Sequence, residues 1–142
     1  MSTGLILFSL LCALAAIVYG AILISWILKQ PAGDDKMKDI AAAIQAGARA
    51  YLNRQYKTVA VIAAILFLIL GFTLGWYVAG GFLVGALLSA AAGYVGMNVS
   101  VRANSRTAEA AKQGLAQALS IAVKGGSVTG LLVVGLGLFL LL

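Results

Sequence analysis

The run TVAVIAAILFLILGFTLGWYVAGGFLVGALLSAAAGYVGMNVSV, residues 58–101, contains no Asp, Glu, Lys or Arg. Its 44 residues are too many for one transmembrane helix, which needs roughly 20 apolar residues, and fit two. Gly71-Phe72-Thr73-Leu74-Gly75-Trp76-Tyr77 supplies a tight uncharged turn between them. Trp76 and Tyr77 suit the membrane interface, where amphipathic rings sit at headgroup level.

The rest of the chain repeats the pattern on either side. Residues 1–28 and 125–142 are also uncharged, and all ten Lys and Arg fall in two windows, 29–57 and 102–124. Each flanking run holds one span. The fold class is therefore all-α: a polytopic membrane protein, one transmembrane domain over 1–142. Spans are expected near 5–28, 58–75, 76–101 and 122–142, the second on a helix that starts near residue 36. Composition agrees, since 63% of the 142 residues are hydrophobic and 10% charged, against about a quarter charged in soluble domains.

Basic residues concentrate in cytoplasmic loops. Both basic windows, expected as cytoplasmic helical loops, should then lie inside, with both termini and the Gly71–Tyr77 turn outside. The first run is expected to be a retained helix. It is too long for a cleaved signal, lacks a basic n-region, and has no small-x-small site before Lys29. Cys12 is the single cysteine, so no internal disulfide can form. The net charge of +6, so placed, points to anionic lipids of the inner leaflet as partners. Nucleic acid is not expected, for the chain has no histidine and no cysteine pair.

Lys29-Gln30-Pro31-Ala32-Gly33 ends the first helix, and Asp34-Asp35 reads as the cap and first turn of the second. Along that second helix Gln45, Arg49, Asn53 and Lys57 recur every four residues as a polar stripe beside an apolar one of Ile40, Ile44, Ala48 and Leu52. The third helix carries Gly81, Gly85, Ser89 and Gly93 at four-residue spacing, with Gly96 and Ser100 beyond. The fourth carries Gly126 and Gly130. Helices in lipid associate by close packing, so these small residues are expected as packing faces. Arg49, Arg54, Lys57, Arg102, Arg106 and Lys124 are expected as anchors at the cytoplasmic interface, with Lys124 snorkelling.

Residues that could carry chemistry are few. Asn98, Arg102, Asn104, Arg106 and Thr107 could grip a phosphate, yet they end a membrane span. The chain has four acids: Asp34, Asp35, Asp39 and Glu109. Asp35 and Asp39 share a helix face and could touch one cation, but capping and dipole compensation explain them as well. Glu109 sits three residues from both Arg106 and Lys112, as an ion-pair partner would. Phosphoryl chemistry needs metal ions held by several carboxylates, and an ion path normally marks itself with ionisable groups inside the spans. No catalytic, cofactor-binding or metal-binding residue is assigned.

The stretch AAAIQAGARAYLNRQYKTVAVIAAI (41–65) resembles the second helix of membrane-bound pyrophosphatases. GYVGMNVSVRANSRTAEAAKQGLAQALSIAVKGGSVTGLLVVGLGL (93–138) resembles their third and fourth helices with the intervening cytoplasmic loop, and the chain looks closer to bacterial members. The resemblance implies a homodimeric pump of about sixteen helices that hydrolyses cytoplasmic magnesium pyrophosphate and drives protons, or sodium, outward across a bacterial inner membrane. Magnesium is expected only for a complete family member. The matched helices correspond to an outer shell around a catalytic ring, so no catalytic residue carries over. One departure is Gln45-Ala46-Gly47-Ala48, where the family pattern leads one to expect Gln-Glu-Gly-Ala. Two readings follow. The chain is the outer-shell part of such a pump, its partners the pump's other helices; or it is a stand-alone, non-catalytic accessory subunit of pump ancestry, packed against a larger membrane complex.

Overall fold

A computed structural model describes residues 3–141. Met1, Ser2 and Leu142, which close the expected domain and the last expected span, lie outside the described residues. Four helices follow one another: α1 (Thr3–Leu28), α2 (Asp35–Thr73), α3 (Trp76–Ala111) and α4 (Leu115–Leu141). All four are long and apolar enough to cross a membrane. The described residues contain no strand.

Each helix end has a local cause. At the end of α1 the backbone tightens, with Gln30 N–H donating to the Ile27 carbonyl at 3.0 Å, and Pro31 cannot continue the ladder. Gly33 then takes φ 93°, and a Cβ there would come within 2.6 Å of Met37 Sδ. Asp34 caps α2, its carboxylate accepting from Met37 N–H at 2.9 Å. That bond, followed by the charge of Lys112, holds the Asp34 carboxyl below its ordinary pKa of 3.8. Because the folded pKa lies under the unfolded one, the cap stabilises above about pH 3.8 and fades as pH falls through the folded value. Asp34→Ala should therefore speed amide exchange at Met37 at neutral pH and change little in strong acid.

The turn between α2 and α3 is tighter than the expected Gly71–Tyr77. Helix α2 continues through Thr73, and Gly75 at φ 99° makes the reversal. Trp76 folds back onto Gly71, where a Cβ would lie 2.7 Å from the indole. The indole also meets Phe72 edge-on at 5.3 Å and Phe67 at 6.0 Å.

At about 1.5 Å per residue, the 39 residues of α2 and 36 of α3 far exceed a hydrocarbon core of about 30 Å. Their excess length is the charged part, at the same end of the bundle. Helix α3 continues beyond the apolar run that ends at Val101, through Ala111, and α4 begins at Leu115, before the span expected from residue 122. Hydropathy marks where lipid ends; a helix needs only propensity, which Ala108, Glu109, Ala110 and Ala111 supply.

Helices α1, α3 and α4 form a cluster, with α1 mainly on α4, while α2 lies along α3 alone among the described residues. The core joins Leu23 and Ile27 of α1, Val99 and Ala103 of α3, and Val128 of α4. Most large apolar side chains are exposed, among them Phe8, Ile62, Leu87 and Val134. Such a surface is stable only against lipid or other apolar protein.

Candidate functional site

The polar side chains gather where α1 ends, α2 and α4 begin, and α3 runs out. Arg106 of α3 is at their centre. Its Nε donates to the Gln30 carbonyl at 3.1 Å, Nη2 to the Leu28 carbonyl at 3.1 Å, and Nη1 to the Arg102 carbonyl at 2.7 Å. The last carbonyls of a helix have no partner within it and carry partial negative charge, so a guanidinium fork satisfies both needs. Partial burial, and then Arg102 nearby, lower the Arg106 pKa; an arginine stays charged nonetheless.

Three other contacts complete this end. Lys112 lies 2.6 Å from Glu109 and 3.5 Å from Asp34, joining the α3 terminus to the α2 cap. Glu109 thus pairs with Lys112, while Arg106 turns to backbone. Lys124 sits over the Trp26 ring at 3.7 Å from its centroid, a cation–π contact tying α4 to α1. A recess of about 340 Å³ opens among Trp26, Gln30, Arg106, Glu109, Gln117 and Ser120.

The phosphate-grip candidates do not converge. Asn98 donates to its own helix at the Tyr94 carbonyl, 2.9 Å away, and Arg106 is engaged with carbonyls. Arg102 and Thr107 are half-buried and Asn104 is exposed. Arg49, Arg54 and Lys57 are exposed along α2. Of the acids, Asp34 caps and Asp35 pairs with Lys38 at 3.0 Å. Among the described residues no three potential metal ligands come together. Magnesium prefers an octahedral cage of oxygens, and Asp34, Asp35 and Glu109, each paired with a lysine, do not supply one.

The small-residue ladder of α3 divides between neighbours. A Cβ at Gly85 would meet Leu140 of α4 at 3.1 Å, and one at Gly93 would meet the Tyr56 hydroxyl of α2 at 3.0 Å. Gly81 faces open space, and Ser89 lines a groove beside Val133 and Gly137 of α4. A four-residue step advances about 40° beyond a full turn, so the ladder winds from one neighbour to the next. On α4, Gly126 and Gly130 face open space, whereas Gly125 and Gly135 carry the close approaches to α3 and α1.

Tyr56 was not singled out from the sequence. Its hydroxyl donates to the Ala90 carbonyl at 2.7 Å, and its ring meets Tyr94 edge-on at 6.0 Å. A tyrosine one residue before a polar stripe ends is the signal that could have found it. Tyr56→Phe should cost about 1 kcal/mol, the typical net worth of one hydrogen bond, read as a lower unfolding midpoint in detergent. An unchanged midpoint would show that the bond to Ala90 contributes nothing.

Fold and site together define an integral, polytopic α-helical membrane protein whose polar groups join helix ends. Comparison with known proteins narrows the class. The sequence model of the inorganic H+ pyrophosphatase family matches residues 14–142. The chain is 52% identical over 130 residues to a K(+)-insensitive pyrophosphate-energized proton pump of Methanosarcina mazei, covering 90% of this chain. It is 44% identical over 126 residues, 89% of the chain, to a Clostridium tetani protein provisionally named a K(+)-stimulated pyrophosphate-energized sodium pump. The chain belongs to the inorganic H+ pyrophosphatase family. It spans about 19% of the length of each of these two relatives.

Proposed function

We propose that these four helices are the outer-shell portion of a pyrophosphate-energised ion pump in a bacterial or archaeal cell membrane. The basic end faces the cytoplasm and its anionic leaflet, and both termini face outward. The pump hydrolyses magnesium pyrophosphate and moves protons or sodium, with the hydrolytic carboxylates and the metal on helices other than these. The partners of this chain are those helices and the anionic lipids.

One observation carries this reading. The family match runs through all four helices, yet the polar groups that converge at their charged end hold helix ends: Asp34 as a cap, Glu109 on Lys112, Arg106 on the Leu28 carbonyl. Such side chains position helices and leave no carboxylate set for metal-assisted hydrolysis.

Pyrophosphate hydrolysis with magnesium by the purified 142-residue chain tests the division of labour. No phosphate release is expected; release above a heat-denatured control would overturn it. Purification from the native membrane separates the two roles. Recovery of pyrophosphatase activity with the chain supports a pump portion. Recovery with a larger complex that lacks this activity supports the accessory subunit instead.

A further inference from the structure

The side of the α2–α3 pair that faces away from α1 and α4 is not flat. A groove of about 570 Å³ runs between the two helices, lined by Ala60, Ala64, Phe67 and Leu68 of α2 and by Leu83 and Leu87 of α3. Leu83 and Leu87 lie on the opposite side of α3 from Gly85 and Gly96, which face α4. The groove therefore opens outward from the helix cluster. Tyr56 and Tyr94, held edge-on with the Tyr56 hydroxyl on the Ala90 carbonyl, mark its charged end.

Charge and apolar surface are aligned there. Lys57 precedes Ala60 and Ala64 by three and seven residues and so shares their helix face. Asn53 and Arg49 continue the line into the polar half of α2. Lys57 is exposed and stands one residue before the uncharged run begins at Thr58. Among the described residues no acid forms an ion pair with it. An unpaired ammonium at the polar–apolar boundary, with an apolar slot leading away from it, matches a phospholipid in both parts.

We propose that this groove is a binding site for an anionic phospholipid, its phosphate against Lys57 and Asn53 and one acyl chain along Ala60, Ala64 and Leu83. The site deepens, and rests on, the reading that the basic end meets an anionic leaflet. A lysine near an anionic surface contributes about 1 kcal/mol, roughly a fivefold change in retention.

The 142-residue chain, reconstituted in nanodiscs of equal phosphatidylglycerol and phosphatidylcholine, then extracted in mild detergent, provides the test by native mass spectrometry. Phosphatidylglycerol should be retained in preference. Lys57→Gln should lower that retention about fivefold, and Ala64→Trp, which fills the slot, should lower retention of both lipids. Both positions are exposed, and unchanged helical circular dichroism would verify folding. A wild-type chain without preference for phosphatidylglycerol overturns the anionic-leaflet reading together with the site. A preference that neither variant alters overturns the site alone. In a Cys12→Ala background, Leu83→Cys chains that cross-link to one another place a second copy in the groove and also overturn it.

Discussion

Arg106→Ala is expected to release α1 from α3 and to lower the stability of the bundle by about 3 kcal/mol. The guanidinium is the donor for the Leu28 and Gln30 carbonyls, and a hydrogen bond to a charged group is worth about 1.5–3 kcal/mol net. Alanine also removes the positive charge from the end of α1, where the helix dipole favours a cation by about 0.3–1 kcal/mol. Water at the membrane boundary can replace part of this, which places the total near one strong bond rather than two. Against a typical stability of about 5–15 kcal/mol, such a loss is large. Arg106→Lys tests the geometry, since one ammonium keeps the charge but cannot reproduce a planar fork across two carbonyls. It should recover less than half of the loss. Unfolding in detergent reports the energy, and spin labels on Lys29 and Gln113 report the separation of helix ends. An alanine variant with unchanged midpoint and label distance would refute the role.

Gly96→Leu is the second large effect, expected at about 3 kcal/mol, the upper part of the usual range for overpacking. At this position a Cβ would collide with Thr129 Oγ1 and lie 2.9 Å from Thr129 Cγ2. Threonine can take two χ1 wells in a helix, but Thr129 Cβ itself, which no χ1 rotation moves, would lie 3.1 Å away, so the α3 and α4 backbones must part. In lipid, packing is the main attraction between helices, and nothing offsets that separation. Gly85→Leu should cost less, because its obstacle is the flexible end of Leu140. Gly126→Leu and Gly130→Leu meet open space and should leave this chain's own unfolding midpoint unaltered. If all four substitutions lowered the midpoint equally, the contrast drawn between these faces would be wrong.

The four-helix architecture was legible because lipid imposes a single rule on every residue of a span. A charge is costly there, so three uncharged runs outline four helices without any knowledge of how they pack. Capping was legible for a similar reason: Asp34 acts on Met37, three residues away, and short-range chemistry leaves a short-range pattern. The third and fourth helices were harder to delimit. Beyond Val101 and before residue 122 the chain is polar, so hydropathy is silent, and only helix propensity spoke for α3 reaching Ala111.

The polar end was legible only in part. Lys112 could be matched to Glu109 because both are charged and three apart. Arg106 could not be matched to its acceptors, which are backbone carbonyls 76 and 78 positions away, and a carbonyl has no sequence signature. Gly85 and Gly93 likewise look equivalent in sequence; only the helix phase directs one to α4 and the other to α2.

Local rules thus account for the element count, the helix ends and the segregation of charge to one end. The choice of neighbours did not follow from them. That α2 rests on α3 alone among the described residues, that Arg106 closes α1, and that the Lys57 face continues into an open groove depend on three-dimensional proximity. In lipid, where burial offers no preference among apolar faces, close steric fit and a few polar contacts make that choice.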